Sequence, residues 1–211
     1  MQIVISAATR GEWEQAATFF SNQLQEGYSI GFHEAGVGVL STTYSLTQII
    51  QLEKPDYIIQ AGIAGAFEGG PSLGEVVIVE DDCLGDLGVM ETNGWKTTAD
   101  LGFANDADLK LVNPYADRLN FLQLPKVHAV TVNQITTSEQ QARMYTNKFS
   151  AQIETMEGAA LHYVCKQLFI PFIQIRAISN KVGERDKSKW LLAESILNLN
   201  ETLQKYVPLL S

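Results

Sequence analysis

Short apolar runs, rich in β-branched residues and separated by helix-like segments, dominate this sequence. Because polar and apolar positions do not alternate along most of these runs, they are typical of strands that are covered on both faces. Such strands predict a largely parallel sheet with helices on each side. The runs are Gln2 to Ala7, Tyr57 to Gln60, Glu75 to Glu80, Val127 to Val132 and Pro171 to Ile178.

Helical periodicity occupies much of the chain between these runs. We predict helices that end near Leu52, run from Glu154 to Phe169, and run from Ser188 to Val207. Neither a repeat nor a linker divides the sequence, which therefore predicts one α/β domain over residues 1–211, with a central mostly parallel or mixed sheet flanked by helices. After the first apolar run, a further helix is predicted because apolar residues recur at helical spacing at Trp13, Ala16, Ala17, Phe20 and Leu24.

Three segments are less regular. Residues Asp82 to Arg118 have weak periodicity and many Gly, Asn and Asp residues, which predicts a long excursion with little regular structure. The polar and aromatic run from Tyr28 to Ala35 is assigned to neither a strand nor a helix. Gly62-Ile63-Ala64-Gly65 is interpreted as a turn after a strand. Its small residues either let backbone amides approach a ligand or serve tight packing.

The composition disfavours several classes of partner. The formal charge is −9, from 24 acidic and 15 basic residues, which argues against a nucleic-acid partner. No apolar run approaches the roughly 20 residues that span a bilayer. The opening MQIVISAA has no basic region or cleavage site of a secretory signal. We expect a cytoplasmic protein without a membrane partner.

Cysteine and histidine usage argues against a structural metal. Cys83 and Cys165 are too few for a disulfide framework. The histidines His33, His128 and His162 stand far apart and form no metal-ligand spacing. The sequence predicts neither a metal site nor a His-based catalytic triad.

Polar and small residues follow several predicted strands. In α/β folds, ligands bind beyond the carboxyl ends of the strands. We predict that these segments converge on one site, together with Glu154 to Glu157, which are expected to open a helix. The segments are Thr9 to Glu12, Gly62 to Ala66, Asn133 to Ser138 and Ser179-Asn180.

Two glutamates each have a structural and a functional interpretation. Thr9 with Glu12 three residues later is the pattern of a capping box, but a carboxylate at a sheet edge can also polarise a water molecule. Glu157 is expected in the first turn of a helix, where any acid is stabilised by the helix dipole. The neighbouring Gly158 and Ala159 are small enough for that helix end to contact a ligand.

Asn180 also has two interpretations. It can cap the segment that follows, since Asn is common at turns and helix starts. Its planar amide can instead donate to O6 of a 6-oxopurine while it faces N7, whereas a 6-aminopurine sets donor against donor. Asp186, Lys187 and Lys189 are expected on a solvated face, with Asp186 as a secondary candidate for ligand contact.

Together these segments resemble the purine nucleoside phosphorylase and nucleosidase family over essentially the whole chain. The resemblance rests on the first strand with Glu12 and on AGIAGAF, LGEVVIVED, TMEGAA and QIRAISN. Three further segments, GDLGVME, ETMEGAALHYVC and SNKVGERDKSKW, resemble a branch of hydrolases whose substrate carries hypoxanthine. The resemblance implies a nucleoside phosphorylase-like fold, hydrolysis of an N-glycosidic bond, no cofactor, and a homo-oligomer of two or more subunits.

The resemblance also implies roles for individual residues. Glu12 would position and deprotonate the attacking water, Glu157 would hold the ribose hydroxyls, and Met156 would pack on the sugar. Asn180 would serve the base, at a position where adenine-type nucleosidases have an Asp. The other residues expected to bind substrate are Ile63, Ala64, Gly65, Thr137, Thr155 and Ser179.

The sequence departs from the family pattern at two places. An amide cannot protonate N7 as an acid can, so the proton is assigned to water or Asp186. Thr136-Thr137 lie where adenine-type nucleosidases have a stacking aromatic residue, and Phe67 or Phe103 is expected to replace it.

Three functions besides hydrolysis of a hypoxanthine nucleoside stay open at this point. A phosphorylase needs cations around phosphate, for which Arg10 and Arg176 lie nearest. A methylthioadenosine/adenosylhomocysteine-type nucleosidase would share most of the motifs, although Asn180 argues against it. A non-catalytic nucleoside-binding protein would be favoured if Glu12 served only as a helix cap.

Overall fold

The first half of the chain alternates strands with helices, as the apolar runs predict. The structure is a computed structural model that describes residues 1–23, 27–92, 94–117, 120 and 123–210, so Leu24 and Arg118 lie outside the described residues. Its elements are β1 (Gln2–Ala7), a 3₁₀ turn (Arg10–Glu12), α1 (Glu14–Ser21), β2 (Ser29–Glu34), α2 (Val39–Glu53), β3 (Tyr57–Ala66) and β4 (Val76–Asp82).

The second half contains shorter strands before the pattern resumes. Its strands are β5 (Gly88–Glu91), β6 (Gly94–Thr97), β7 (Leu111–Val112), β8 (Lys126–Thr131), β9 (Ile153–Thr155) and β10 (Phe172–Lys181). Its helices are α3 (Asp106–Leu109), α4 (Glu139–Phe149), α5 (Gly158–Gln167) and α6 (Leu192–Tyr206), with 3₁₀ turns at Lys187–Lys189 and Val207–Leu210.

Eight of the described strands form one mixed sheet, which confirms the predicted fold class. Strand β1 pairs in parallel with β2 and with β3, and β3 pairs in parallel with β10. Strand β10 then pairs with β4, β4 with β8, β8 with β9, and β9 returns to β3. Strands β3, β10, β4, β8 and β9 therefore close into a ring.

Apolar side chains fill both faces of this sheet. One cluster joins Ile5, Ile59 and Ile175 to Phe20 of α1 and Leu199 of α6. On the opposite face, strand residues pack against Leu46 of α2 and Leu161 of α5. The helices on each side therefore bury the apolar runs, as expected for strands covered on both faces. Inside the ring, a third cluster contains Ala64, Ala66, Val77, Val79, Val127, Ala129, Ile153 and Ile178.

The structure corrects two local assignments near the predicted site. Gly62 to Gly65 are not a turn: they belong to β3 and pair with β10 along their length. The predicted helix from Glu154 begins only at Gly158, because residues 153–155 form β9 between β8 and β3. In both places, pairing with distant strands overrides the local sequence preference.

Two further segments contain more regular structure than the sequence indicates. Within Tyr28 to Ala35, residues 29–34 form β2, which pairs with β1 and is only partly buried. The excursion after Asp82 contains the β5–β6 hairpin, α3 and β7. In the part of the chain that the structure describes, no helix is long and apolar enough to cross a membrane.

Candidate active site

A cavity of about 350 Å³ lies at the carboxyl ends of β1, β3 and β10. Segments from across the chain meet there, as the convergence hypothesis requires. The lining residues are Ala8, Thr9, Gly11, Glu12, Val37, Ile63, Ala64, Gly65, Ile135, Glu154, Thr155, Met156, Glu157, Ser179, Asn180, Trp190, Leu192 and Ile196.

Of the residues to which the resemblance assigns a catalytic or substrate-binding role, all except Thr137 line the cavity. Thr137 is exposed, and of its segment only Ile135 lines the cavity. Thr136, which precedes it, is buried, and its backbone amide donates to the carboxylate of Glu154 at 3.1 Å. Thr137 therefore lies beyond the part of the segment that reaches the cavity.

Glu12 acts as a cap and also lines the cavity. Its Oε2 accepts the backbone amide of Thr9 at 2.9 Å and the Thr9 hydroxyl at 3.2 Å, and Oε1 accepts the amide of Ile63 at 3.1 Å. Asn200 of α6 donates to the backbone carbonyl of Glu12 at 3.0 Å and accepts the amide of Ala16 at 2.8 Å. The two interpretations are therefore compatible, because the same contacts fix the carboxylate at the cavity wall.

Arg176 is fully buried beside this carboxylate. Its Nη2 donates to Oε1 of Gln60 at 2.6 Å, and its Nη1 lies 3.6 Å from Oε2 of Glu157. A methyl group on Gly62 would lie 2.2 Å from Nη1 of Arg176 and 3.1 Å from Oε1 of Glu12. No side chain fits at position 62, because the guanidinium of Arg176 occupies that space, close to the carboxylates of Glu12 and Glu157.

Glu157 is the residue that precedes α5, and it is buried. Its Oε1 accepts the amide of Gly38 at 3.1 Å. Burial raises the pKa of Glu157, while the positive charge of Arg176 and the Gly38 amide counteract that shift. The remaining side of the carboxylate faces the cavity, where it can accept hydrogen bonds from hydroxyl groups.

The cavity is acidic. Glu12, Glu154 and Glu157 all line it, and no lysine or arginine is among the described residues that do so. Arg176 lies behind the wall and is paired with Glu157. Phosphate ions are bound by arginine, lysine or clusters of backbone amides, so this wall disfavours a phosphate site.

A bulge in β10 directs Asn180 into the cavity. Ile178 pairs with Ala64 and Asn180 pairs with Gly65, so two residues of β10 advance while β3 advances by one. This insertion reverses the alternation of side chains after Ile178 and places Asn180 on the face of Gly65. Without it, the side chain of Asn180 would share the face of Arg176.

Two hydrogen bonds fix the orientation of the Asn180 amide. Its Oδ1 accepts the hydroxyl of Ser179 at 2.8 Å, and its Nδ2 donates to the carbonyl of Lys181 at 3.0 Å. Rotating the amide by half a turn would set Oδ1 against the Lys181 carbonyl, so the NH₂ group stays on that side. One N–H of Nδ2 remains for a ligand.

Among the residues that the structure describes, Trp190 is the one aromatic residue that lines the cavity. Its indole Nε1 donates to the carbonyl of Glu184 at 3.1 Å. The two phenylalanines expected to stack on the base lie elsewhere: Phe67 is buried against Tyr145, and Phe103 is 82% exposed. The sequence contains the motif that ends in Trp190, but it does not show that Trp190 lies at the cavity. That position depends on the path of the chain between β10 and α6.

Asp186 does not line the cavity. Its carboxylate accepts the backbone amide and the hydroxyl of Ser188, at 3.0 Å and 2.7 Å, and is exposed. These hydrogen bonds lower its pKa, so it is a poor source for the N7 proton. The suggestion that Asp186 contacts the ligand is not supported by this geometry.

A buried polar cluster supports the start of α5. Asp82 accepts the amide of Cys83 and the hydroxyl of Thr131, each at 2.8 Å, and Nε2 of Gln174 at 3.3 Å. Burial raises the pKa of Asp82 to about 7. The hydroxyl of Thr131 in turn accepts the amide of Ala159 in the first turn of α5 at 2.9 Å. This cluster holds the helix end from which Glu157 reaches the cavity.

A larger groove of about 520 Å³ follows α1 but has less chemistry to offer. Its charged residues Arg10 and Glu14 pair with each other at 3.0 Å and are exposed. Arg10, one of the two arginines that lie nearest the site in the sequence-based interpretation, therefore does not supply a cation to it. Among the described residues, no cluster of three or more His, Cys, Asp or Glu side chains could hold a metal ion.

Comparison with known proteins gives a consistent pattern. The profile of the phosphorylase superfamily matches residues 15–207. The chain is 28% identical over 189 residues to the futalosine hydrolase of Thermus thermophilus, covering 85% of this chain and 82% of that protein. It is 29% identical over 170 residues to the 5′-methylthioadenosine/S-adenosylhomocysteine nucleosidase of Bacillus velezensis, with coverages of 78% and 74%. The structure of a Helicobacter pylori nucleosidase of the latter type superposes with a TM-score of 0.81 at 18% identity, over 98% of this chain and 97% of that chain.

Proposed function

Because this chain belongs to the phosphorylase superfamily, we propose that it hydrolyses the N-glycosidic bond of futalosine and releases hypoxanthine, a step of the futalosine route to menaquinone. The observation that carries this proposal is the acidic cavity that contains the Glu12 carboxylate and the fixed amide of Asn180 together. The lining residues extend from Ala8 to Ile196, which supports one catalytic domain over residues 1–211.

Asn180 would stabilise the departing base. Cleavage of the bond leaves negative charge on the purine, and donors aimed at that charge lower the barrier. The free N–H of Asn180 can donate to O6 of hypoxanthine, which is an acceptor. For a 6-aminopurine, this N–H would oppose the exocyclic NH₂ group. The fixed amide therefore favours futalosine over methylthioadenosine.

The two glutamates would act on the sugar. Glu12 can accept a proton from a water molecule that attacks C1′, because its position is set by three hydrogen bonds from Thr9 and Ile63. Glu157 can accept hydrogen bonds from the ribose hydroxyls, and Met156 lies next to Glu157 in the cavity wall. If these hydrogen bonds strengthen as the ribose ring flattens, they stabilise the transition state more than the bound substrate.

The charges of the cavity support water rather than phosphate as the attacking group. A phosphate ion would have to enter beside Glu12, Glu154 and Glu157 with no lysine or arginine among the described lining residues to balance it. The buried guanidinium of Arg176 nearby is already paired with Glu157 and Gln60. We therefore favour hydrolysis over phosphorolysis.

Chromatography of a reaction with futalosine tests the function. We expect free hypoxanthine to appear at the same rate with and without added phosphate, and methylthioadenosine to be cleaved at least about tenfold more slowly. Tenfold corresponds to roughly 1.4 kcal/mol, about the penalty of one unmade hydrogen bond. Absence of hypoxanthine, or a rate that requires phosphate, would contradict the proposal.

We also propose that the chain forms a homo-oligomer of two or more subunits. At the start of α2, Val37, Leu40 and Tyr44 are 55%, 84% and 66% exposed, and Val37 also lines the cavity. An exposed apolar surface at the rim of a site is typical of an interface. Light scattering on the purified chain should give at least twice the monomer mass, and a monomer at micromolar concentration would refute this.

A further inference from the structure

A carboxyl group and two hydroxyl groups form a hydrogen-bonded chain from the interior to the cavity. Oδ1 of Asp82 lies 2.8 Å from Oγ1 of Thr131, which in turn lies 2.8 Å from Oγ1 of Thr155. Asp82 and Thr131 are fully buried, whereas Thr155 lines the cavity. Because a hydroxyl group is both a donor and an acceptor, this chain can pass a proton between the buried acid and a bound ligand.

Two backbone amides limit the chain to two arrangements of its protons. The amide of Ala159 donates to Oγ1 of Thr131 at 2.9 Å, and the amide of Gly158 donates to Oγ1 of Thr155 at 3.3 Å. A hydroxyl oxygen has one hydrogen and two lone pairs, so each threonine keeps one donor and one acceptor for the chain. All groups of the chain must therefore donate in the same direction.

The protonation state of Asp82 decides that direction. An ionised Asp82 accepts from Thr131, Thr131 accepts from Thr155, and the oxygen of Thr155 is left as an acceptor at the cavity. A protonated Asp82 donates to Thr131, Thr131 donates to Thr155, and the hydroxyl of Thr155 donates into the cavity. Conversion of the second arrangement into the first delivers one proton to the cavity, and no side chain has to move.

The surroundings of Asp82 accept both states. Its further partners in the described part of the chain are the amide of Cys83 at 2.8 Å and Nε2 of Gln174 at 3.3 Å, and both are donors. Burial raises the pKa of Asp82 to about 7, while the positive charge of Arg176 on β10 opposes that shift. The acid is therefore close to half protonated at neutral pH.

The other titratable groups around Asp82 do not share this property. On α5, burial lowers the pKa of His162 to about 4, so the imidazole is neutral. Burial raises the pKa of the Cys83 thiol, which stays protonated. Asp81, the neighbour in β4, is engaged in ion pairs of its own. Asp82 is thus the member of this cluster that gains and loses a proton near neutral pH.

Hydrolysis of the nucleoside leaves a purine that needs a proton. The amide of Asn180 cannot supply one as an acid does, and Asp186 does not line the cavity. We propose that Asp82 holds the proton for the departing base and passes it to the cavity through the hydroxyls of Thr131 and Thr155. This inference rests on the proposed function, because the proton acceptor is the purine of the nucleoside.

The proton transfers balance as follows. As the bond from C1′ to the purine breaks, its electron pair goes to the base, which takes the proton of the Thr155 hydroxyl. Thr155 takes a proton from Thr131, and Thr131 takes one from Asp82. The attacking water binds to C1′ and gives a proton to Glu12, which releases it to solvent. Asp82 regains a proton through the same chain once the product has left, so the reaction consumes one water molecule.

The pH dependence of the rate follows from the direction of this transfer. Only the form with a protonated Asp82 donates, so activity is present below the pKa of this group and is lost above it. We expect kcat/KM for futalosine to decline above about pH 7, because this constant reports the ionisation of the free enzyme. A purely structural Asp82 would produce no such limb.

Substitutions at the two ends of the chain test the transfer. Asp82→Asn keeps an acceptor for the Cys83 amide and the Thr131 hydroxyl, and its NH₂ group can donate to Oε1 of Gln174, which has no partner among the described residues. We expect kcat for futalosine to fall roughly 10²-fold and the alkaline limb of the profile to disappear. Thr155→Val breaks the chain at the cavity and should have the same two effects. Thr155→Ser keeps a hydroxyl group and should restore most of the rate together with the limb.

A neighbouring acid and a spectroscopic measurement provide the controls. Asp81→Asn makes the same chemical change one residue away, outside the chain, and should keep the alkaline limb even if its ion pairs are lost. Infrared difference spectra of the parent chain and Asp82→Asn should contain the band of a protonated carboxyl group on the acid side of the limb. That band should vanish on the alkaline side. Its absence on the acid side would contradict the inference without any measurement of turnover.

The outcomes separate this inference from the proposed function. If the parent chain releases no hypoxanthine from futalosine, the proposed function fails. If the parent chain releases hypoxanthine but Thr155→Val and Asp82→Asn keep its alkaline limb, the inference alone fails. The same holds if these variants lose only stability or have only a raised KM, because Asp82 would then merely support the start of α5. Should Asp82→Asn not fold, Thr155→Val and Thr155→Ser decide the question by themselves.

Discussion

Glu12→Gln is expected to lower kcat for nucleoside hydrolysis by roughly 10²- to 10⁴-fold, the usual contribution of a general base. The neutral amide cannot take the proton of the attacking water. Binding of free hypoxanthine should change little, because the base is expected near Gly65 and Asn180 and away from Glu12. Steady-state kinetics with futalosine, together with hypoxanthine titration, measure the two effects separately.

The capping role of Glu12 requires a control. Thr9→Val removes the hydroxyl that donates to Oε2 but keeps the backbone amides of Thr9 and Ile63 on the carboxylate. If Glu12 is only a cap, both variants should lose similar stability and keep their activity. If kcat of Glu12→Gln is close to that of the parent chain, Glu12 is not the general base.

Gly158→Ala is expected to destabilise the fold by about 3 kcal/mol or more, at the upper end of what overpacking costs. A methyl group at this position would lie 2.1 Å from both Oδ2 of Asp82 and Nε2 of Gln174. Both side chains are fully buried and in contact, so neither can move away freely. Either their hydrogen bond breaks or the start of α5 shifts and carries Glu157 with it. Urea unfolding measures the loss, and the surviving folded fraction should also have a raised KM.

Gly31→Ala provides the matched substitution at an uncrowded glycine. Its methyl group would lie 3.6 Å from the nearest atoms, which is ordinary van der Waals contact. We expect a change within about 0.5 kcal/mol, as for most substitutions outside the core. Equal stability of the two alanine variants would show that the start of α5 can relax around Asp82.

The fold class can be predicted from the apolar runs, because strands that are buried on both faces consist almost entirely of apolar residues. The same holds for part of the site: Glu12 and Asn180 follow apolar runs, and the carboxyl ends of parallel strands meet at one edge. The closure of the strands into a ring leaves no such trace. It depends on the pairing of β9 with β3, a strand of only three residues that the predicted helix from Glu154 obscures.

Sequence reasoning fails where tertiary pairing decides the local structure. The small residues of Gly62 to Gly65 suggest a turn. In the structure their small size instead leaves space for the guanidinium of Arg176 and for the cavity beside them. A helix that begins at Glu154 would leave its side chain with no relation to Asn180. In the strand β9 the two residues flank one glycine. Distances of this kind are not encoded in spacing along the chain.

The extra residue in β10 has an evolutionary consequence. It turns the side chain at position 180 toward the cavity, and the pairing of β3 with β10 sets this direction. An exchange at this position alters what the cavity presents to the base without any change in the framework. Relatives with different substrates can therefore diverge by point substitution at such a position, which makes the overall resemblance among them a weak guide to which nucleoside each one cleaves.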